Sequence, residues 1–110
     1  MDTFRFQKLD VYVAAKELAV LIHQARISDA ELRDQATRAA KSCFLNLAEG
    51  LPSRQLGVRR RHFTHALGSL AEVCAAIELA SAIGIVDDTF ERSAHDLTTR
   101  IAQLIHGLTK

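Results

Sequence analysis

Proline, cysteine and aromatic residues are scarce in this chain. It has one proline, two cysteines and five glycines among its 110 residues, and it has no tryptophan. So few helix breakers suit an all-helical protein with short connections. Charged residues interrupt every apolar stretch near the N-terminus, so we expect no signal peptide. No apolar run approaches the ~20 residues of a membrane-spanning helix, so we expect no such segment. With two cysteines and no secretory signal, the reducing cytoplasm is the expected compartment.

A strong net charge and the common catalytic motifs are also missing. Fourteen lysines and arginines and 13 aspartates and glutamates leave a formal net charge of +1 with histidine neutral, so the overall field of the molecule attracts no particular partner. The sequence contains no glycine-rich phosphate loop, no HExxH, no nucleophile elbow and no recognisable pair of catalytic carboxylates. We therefore expect no enzymatic activity, no cofactor and no metal.

The apolar residues that are present recur at helical spacing. They make up 48% of the chain, which is typical of a globular protein, and a chain of this length forms one domain, 1–110. Four amphipathic stretches joined by short connections predict an all-α, antiparallel up-down-up-down four-helix bundle. The predicted helices cover roughly residues 8–26, 29–49, 57–83 and 88–109.

Residues that favour capping or termination mark the predicted helix ends. Asp29 or the serine before it would cap helix 2, and Asp87 or the aspartate after it would cap helix 4. Gly50 and Gly84 are each predicted to follow the last turn of a helix, in the position where a left-handed glycine commonly ends it.

Two of the predicted helices carry a second apolar stripe opposite the one that faces the core. On helix 1 this stripe contains Leu9, Val13 and Val20. On helix 3 it surrounds Glu72 and contains Gly68, Ala76, Leu79 and Ile83. Helices 1 and 3 are diagonal in such a bundle, so their stripes cannot form one self-matching patch; they favour a head-to-tail contact between copies that closes into a ring. The alternatives are a merely wide apolar stripe or a different partner protein.

The segment between Gly50 and Ala71 contains basic residues and no acid. Its basic side chains are Arg54, Arg59, Arg60, Arg61, His62 and His65. Arginines in the first turns of a helix oppose its dipole, and a local rule broken in this way points to function. The cluster therefore predicts a binding site for RNA or DNA. Alternatively, Glu49 neutralises part of it and the rest only aids solubility. His62 and His65 lack the third ligand that a metal site needs.

Polar residues inside the predicted bundle are assigned a structural role. Counting along antiparallel helices places Arg38 within reach of Glu72, so we predict that they form an ion pair or share a hydrogen-bond network. The full set assigned to a polar network is Arg38, Asn46, Glu49 and Glu72. The same counting separates Cys43 from Cys74 by roughly 13 Å, too far for a disulfide, so both are predicted to be buried, inert thiols.

Four short pieces of the sequence resemble those of a known family of four-helix proteins. They are FQKLDV at residues 6–11, NLAEG at 46–50, ALGSLAE at 66–72 and IHGL at 105–108. Together they span nearly the whole chain in the order of the 23S rRNA intervening-sequence family. The resemblance implies an up-down bundle that assembles as a homopentameric ring, without known enzymatic activity. The accessory variability proteins of retroelements look similar and bind nucleic acid and a reverse transcriptase.

Two functions of different classes are thus predicted. The opposed stripes favour a homo-oligomeric scaffold or binding module, whose partner is a second copy of the chain or another protein. The basic segment and the likeness to retroelement proteins favour a nucleic-acid-binding accessory protein.

Overall fold

Four α-helices and one short 3-10 turn make up the described part of the chain. The computed structural model describes residues 4–109. The 3-10 turn covers Arg5–Lys8, and the helices are α1 (Asp10–Gln24), α2 (Ala30–Gly50), α3 (Leu56–Ala82) and α4 (Asp88–Leu108). Because these residues contain no strand, the prediction of an all-α protein is confirmed. The helix ends differ from the predicted ones by at most two residues.

Aspartate caps begin α2 and α4. The side chain of Asp29 accepts a hydrogen bond from the backbone N–H of Leu32 at 2.9 Å, and Asp87 accepts one from the backbone N–H of Phe90 at 2.8 Å. Each cap satisfies a donor that the first helical turn leaves free. Gly84 follows α3 with a φ of 81°, the left-handed conformation that glycine adopts at little cost.

Gly50 does not end α2 in the predicted way. It is the last helical residue of α2 and is buried, and among the described residues positive φ occurs only at Gly84. A Cβ built on Gly50 would lie 2.8 Å from the Cβ of His62 and 3.2 Å from Cε1 of Phe63. The chain needs glycine here because α3 passes too close for a side chain, so the prediction of a left-handed terminal glycine at this position is wrong.

The helices surround one core, and each helix packs on two others. α1 packs on α2 and α4, and α3 also packs on α2 and α4. This arrangement places α1 and α3 at opposite corners. All four helices contribute to the core, whose large side chains include Leu18, Leu47, Phe63 and Ile101, each at most 1% exposed.

α2 and α3 make the most extensive contact in the structure. Their buried surfaces are rich in alanine: Ala36, Ala39, Ala40 and Ala66 are at most 3% exposed. Small side chains let helix backbones approach closely. Ala76 is also buried, at 5% exposure. Its predicted place on the outer face of α3 is therefore wrong, because the core-facing surface of α3 is wide enough to include it.

An aromatic row fixes the N-terminal turn to the bundle. Phe4 stacks on Phe6 with ring centroids 5.7 Å apart, and Phe6 meets Tyr12 edge-on at 5.4 Å. Tyr12 in turn lies 4.8 Å from Phe44 of α2. The N-terminal segment therefore packs on the bundle from Phe4 onward, the first residue that the structure describes.

The apolar character of α3 bears on the membrane prediction. In residues 4–109 it is the one helix that is long and apolar enough to qualify as a candidate membrane span. We expected no segment to approach such a span, but α3 does so by its length and apolar composition. Core helices of globular bundles have the same length and composition, and seven residues of α3 are buried in this core.

Candidate assembly and nucleic-acid interfaces

The outer face of α1 exposes apolar side chains. Leu9, directly before the helix, is 43% exposed, Val13 is 42% exposed and Val20 is 46% exposed. Lys16 is exposed among them, and Leu97 of α4 lines the groove beside them. We call Leu9, Val13, Lys16 and Val20 the α1 outer stripe. Within a single copy of the chain, no part of residues 4–109 covers this stripe.

The outer face of α3 combines small, apolar and charged residues. Gly68, Glu72 and Ala75 are exposed, and Leu79 is 52% exposed. Ile83, one residue beyond the helix, is 55% exposed. We call Gly68, Glu72, Ala75 and Leu79 the α3 outer stripe. Their spacings of four, three and four residues place them on one side of the helix, so α1 and α3 expose their stripes at opposite corners of the bundle.

The Arg59 side chain makes several contacts within its own chain. Its Nη1 donates to the backbone carbonyl oxygens of Gly50 at 3.4 Å, Ser53 at 3.3 Å and Leu51, and its Cζ lies 5.1 Å from the centroid of the Phe63 ring. The end of α2 carries a partial negative charge, which the guanidinium offsets. The contact with the end of α2 explains why an arginine occurs in the first turn of α3, where its charge opposes the helix dipole. We therefore assign Arg59 to capping α2 instead of to the predicted nucleic-acid site.

His62 is held between two residues of α2. Its Nδ1 lies 3.0 Å from Asn46 Oδ1, and its Nε2 lies 3.5 Å from Glu49 Oε2. Asn46 Nδ2 donates to the Ser42 carbonyl at 2.9 Å, so Asn46 Oδ1 is the acceptor and His62 Nδ1 is the donor. The His62 side chain is only 17% exposed. It therefore connects α2 with α3 and does not belong to the exposed basic surface where we predicted it.

Four basic side chains of the segment remain exposed, namely Arg54, Arg60, Arg61 and His65. Successive helical residues are rotated by about 100°, so Arg60 and Arg61 point to different sides of α3. Arg61 and His65, four residues apart, share a side. The exposed positive charge is thus divided between two faces at the start of α3, which limits the number of phosphates that one strand can contact on one copy.

A polar network crosses the alanine-rich contact between α2 and α3. Ser69 Oγ donates to Ser42 Oγ at 2.8 Å, and Ser42 leads through Asn46 and His62 to Glu49. In the part of the chain that the structure describes, every buried side-chain nitrogen and oxygen has a hydrogen-bond partner. Asn46 and Glu49 thus lie in this polar network, the role that the sequence analysis assigned to them, whereas the two serines were missed. Serines among the alanines of a buried helix face were the sequence signal for them.

Arg38 does not pair with Glu72. Its Nε donates to the carbonyl oxygen of Asp34 at 3.4 Å, while Glu72 Oε2 accepts a hydrogen bond from Gln35 Nε2 at 3.2 Å. Gln35 lies three residues before Arg38, which is less than one helical turn. The predicted partner is therefore wrong because counting levels along two helices does not resolve one turn.

A cleft between α3 and α4 brings together groups that the sequence analysis did not connect. Its volume is about 270 Å³, and its polar lining comes from Cys74, Glu78, Glu91, His95 and Thr98. Cys74 with Glu78, and Glu91 with His95, are pairs spaced four residues apart, so each pair shares one helix face. Among residues 4–109, no three histidine, cysteine or acidic side chains are placed to hold a metal ion.

The two cysteines are free thiols in different surroundings. Cys43 is 0% exposed, and this burial raises its pKa to about 12. It therefore stays protonated near neutral pH and is a poor nucleophile. Cys74 is half-buried beside the cleft, so only Cys43 has the full burial that we predicted for both.

The sequence matches one known family over most of its length. The family described as 23S rRNA-intervening sequence protein matches residues 7–107. This match includes all but Phe6 and Leu108 of the four pieces that carry the resemblance in the sequence, and the four helices around one core agree with it. Among curated proteins, no sequence matches this chain.

Proposed function

We propose that this chain, which belongs to the 23S rRNA-intervening sequence protein family, is a non-enzymatic scaffold whose copies assemble head to tail into a ring. In this proposal the four helices run antiparallel, up-down-up-down, and the ring has five copies, the number that the family resemblance implies. No enzymatic activity is known for the family. The observation that carries the proposal is the pair of exposed outer stripes on opposite corners of the bundle.

The position of the two stripes supports a contact between unlike faces. A two-fold contact of α1 with α1 would leave the α3 stripe exposed, and a contact of α3 with α3 would leave the α1 stripe exposed. A contact between the α1 stripe of one copy and the α3 stripe of the next covers both and repeats until the ring closes. Val13, Val20 and Leu79 are about half exposed, so covering each contributes about 1 kcal/mol before the costs of association.

Light scattering coupled to size-exclusion chromatography tests the assembly. We expect a wild-type mass several times the 12.1 kDa of one chain. Val20→Asp and Leu79→Asp should each dissociate the ring with little change in helical content, because a charge at a covered position loses its hydration. Thr99→Asp is the matched control, since it adds the same charge on an exposed face of α4. A wild-type monomer at micromolar concentration would refute the proposal.

A second function, nucleic-acid binding, is favoured by the exposed part of the basic segment. Arg54, Arg60 and Arg61 are exposed, and no acidic residue lies between Gly50 and Ala71. A ring would repeat these three arginines in every copy, so that a long polyanion could contact several copies at once. This function uses the same assembly and adds RNA or DNA as its partner.

Fluorescence anisotropy with labelled RNA and DNA tests the second function. Wild-type protein should bind at ~50 mM salt and release the nucleic acid steeply as salt rises. Changing Arg60 and Arg61 together to glutamine should flatten that salt dependence without altering the mass of the assembly. Arg92→Gln, on the exposed face of α4, is the matched control. Absence of wild-type binding at this salt concentration would leave scaffolding as the only proposed function.

A further inference from the structure

We infer that the α1 outer stripe docks on the α3 outer stripe of a second copy with the two helices running in opposite directions, in the register that pairs Lys16 with Glu72. This inference rests on the proposed head-to-tail assembly and specifies its contact. It defines both an interaction surface and its partner, which is another copy of this chain.

The two stripes have identical spacing. In the α1 stripe, Leu9, Val13, Lys16 and Val20 are separated by four, three and four residues. In the α3 stripe, Gly68, Glu72, Ala75 and Leu79 are separated by the same intervals. Leu9 belongs to the helical repeat, because its carbonyl oxygen accepts a hydrogen bond from the backbone N–H of Val13 at 3.1 Å. Since the 4-3-4 pattern reads the same in both directions, all four positions can align whether the helices run in the same or in opposite directions.

Alignment in the same direction places both charges against apolar groups. Glu72 would face Val13, and Lys16 would face Ala75. Each charged group would lose water without gaining a partner, which is costly at a covered contact. The spacing alone therefore permits this direction, but the chemistry of the side chains opposes it.

Alignment in opposite directions places apolar side chains of one stripe opposite apolar or small residues of the other. Leu9 then faces Leu79, and Val13 faces Ala75. Val20 faces Gly68, where a Cβ built on the glycine has no heavy atom of the same copy within 4 Å. The branched valine of one copy would thus meet open space on its neighbour, and small residues allow close approach of the two helices.

The same alignment places Lys16 directly opposite Glu72. Both side chains are exposed, and neither is in one of the ion pairs found among residues 4–109. Gln35 donates one hydrogen bond to Glu72 Oε2, which orients the carboxylate and leaves it able to accept another donor. Sliding the helices by seven residues would place Lys16 opposite His65 or Leu79 instead, so only one register of this direction pairs the charges.

Charge reversal tests this register. Lys16→Glu and Glu72→Lys each place like charges in contact, so we expect each to weaken association by about tenfold or more. Combining the two substitutions in one chain reverses the pair, and the affinity should return to within about threefold of the wild-type value. Arg92→Glu, which has the same change of charge as Lys16→Glu on an exposed face of α4, should have no such effect.

Sedimentation velocity over a series of protein concentrations gives the association constants, and circular dichroism verifies that every variant is folded. Rescue in the double variant would establish the pairing of Lys16 with Glu72. If wild-type protein assembles but the double variant is no better than the single ones, or the single ones associate normally, the register is overturned while the head-to-tail proposal stands. A monomeric wild type would instead remove the proposed assembly itself.

Discussion

Replacing Gly50 by alanine tests why α2 and α3 pack as closely as they do. In a helix, alanine is favoured over glycine by about 1 kcal/mol, so a glycine without a packing role would be improved by this change. At Gly50 the added methyl group would lie 2.8 Å from the Cβ of His62 and 3.2 Å from Cε1 of Phe63. Favourable carbon–carbon contacts lie at about 3.5–4.0 Å, so the two helices must move apart.

The cost of that movement follows from the atoms involved. The Cβ of His62 is attached to the α3 backbone, so no side-chain rotation relieves the contact. Overpacking of this kind costs about 1–3 kcal/mol, and moving the helices apart also stretches the 3.0 Å contact between His62 and Asn46. After the gain in helix propensity we expect a net loss of about 1–2 kcal/mol in the free energy of unfolding, which lowers Tm by about 4–8 °C.

Urea unfolding followed by circular dichroism measures the effect, with all variants at one protein concentration because assembly also stabilises the fold. Gly107→Ala in α4 is the matched control, since no atom lies within 4 Å of a Cβ built there. It should raise the free energy of unfolding by up to about 1 kcal/mol. If Gly50→Ala is as stable as wild type or more stable, the close approach of α2 and α3 is not the reason for the glycine.

Four further measurements test residues of α2 and α3. Arg59→Gln should lower the free energy of unfolding by about 1–2 kcal/mol, because the carbonyl oxygens at the end of α2 lose a charged donor; unchanged stability would contradict the capping role. In a double-mutant cycle, His62→Ala and Asn46→Ala should show a coupling energy of about 0.5–1.5 kcal/mol, whereas additive effects would argue against the bond. A thiol reagent should label Cys74 in the native protein and label Cys43 only after unfolding. Stability should also fall as pH rises above 9.0, because the unfolded Cys43 thiol ionises at that pKa whereas the folded one, whose pKa is about 12, does not.

The number and type of the helices could be predicted because their determinants are local. Apolar residues at helical spacing define each helix, and Asp29 and Asp87 cap the chain where a short side chain can reach the first turn. Gly50 shows where local reasoning fails. Glycine serves equally at a helix terminus and at a close approach of two helices, and only the position of α3 decides between these roles.

The candidate interfaces could be predicted in outline but not residue by residue. Periodicity identified Val20 and Leu79 as outward-facing, and both are exposed. It could not separate Arg59 from the two arginines that follow, because the role of Arg59 depends on where the loop after α2 places its carbonyl oxygens. The predicted pairing of Arg38 with Glu72 was wrong for a related reason. Whether Arg38 or Gln35 contacts Glu72 depends on a shift of less than one turn between the two helices.

Mixing two single-face variants tests the central claim, that unlike faces of successive copies make the contact. Val20→Asp keeps an intact α3 stripe, and Leu79→Asp keeps an intact α1 stripe. Alone, each should be a monomer of 12.1 kDa by light scattering. Mixed in equal amounts, they share one intact contact and cannot extend it, so we predict a particle of twice that mass. A mixture that stays monomeric while wild type assembles, or a single variant that keeps the full wild-type mass, would contradict the account.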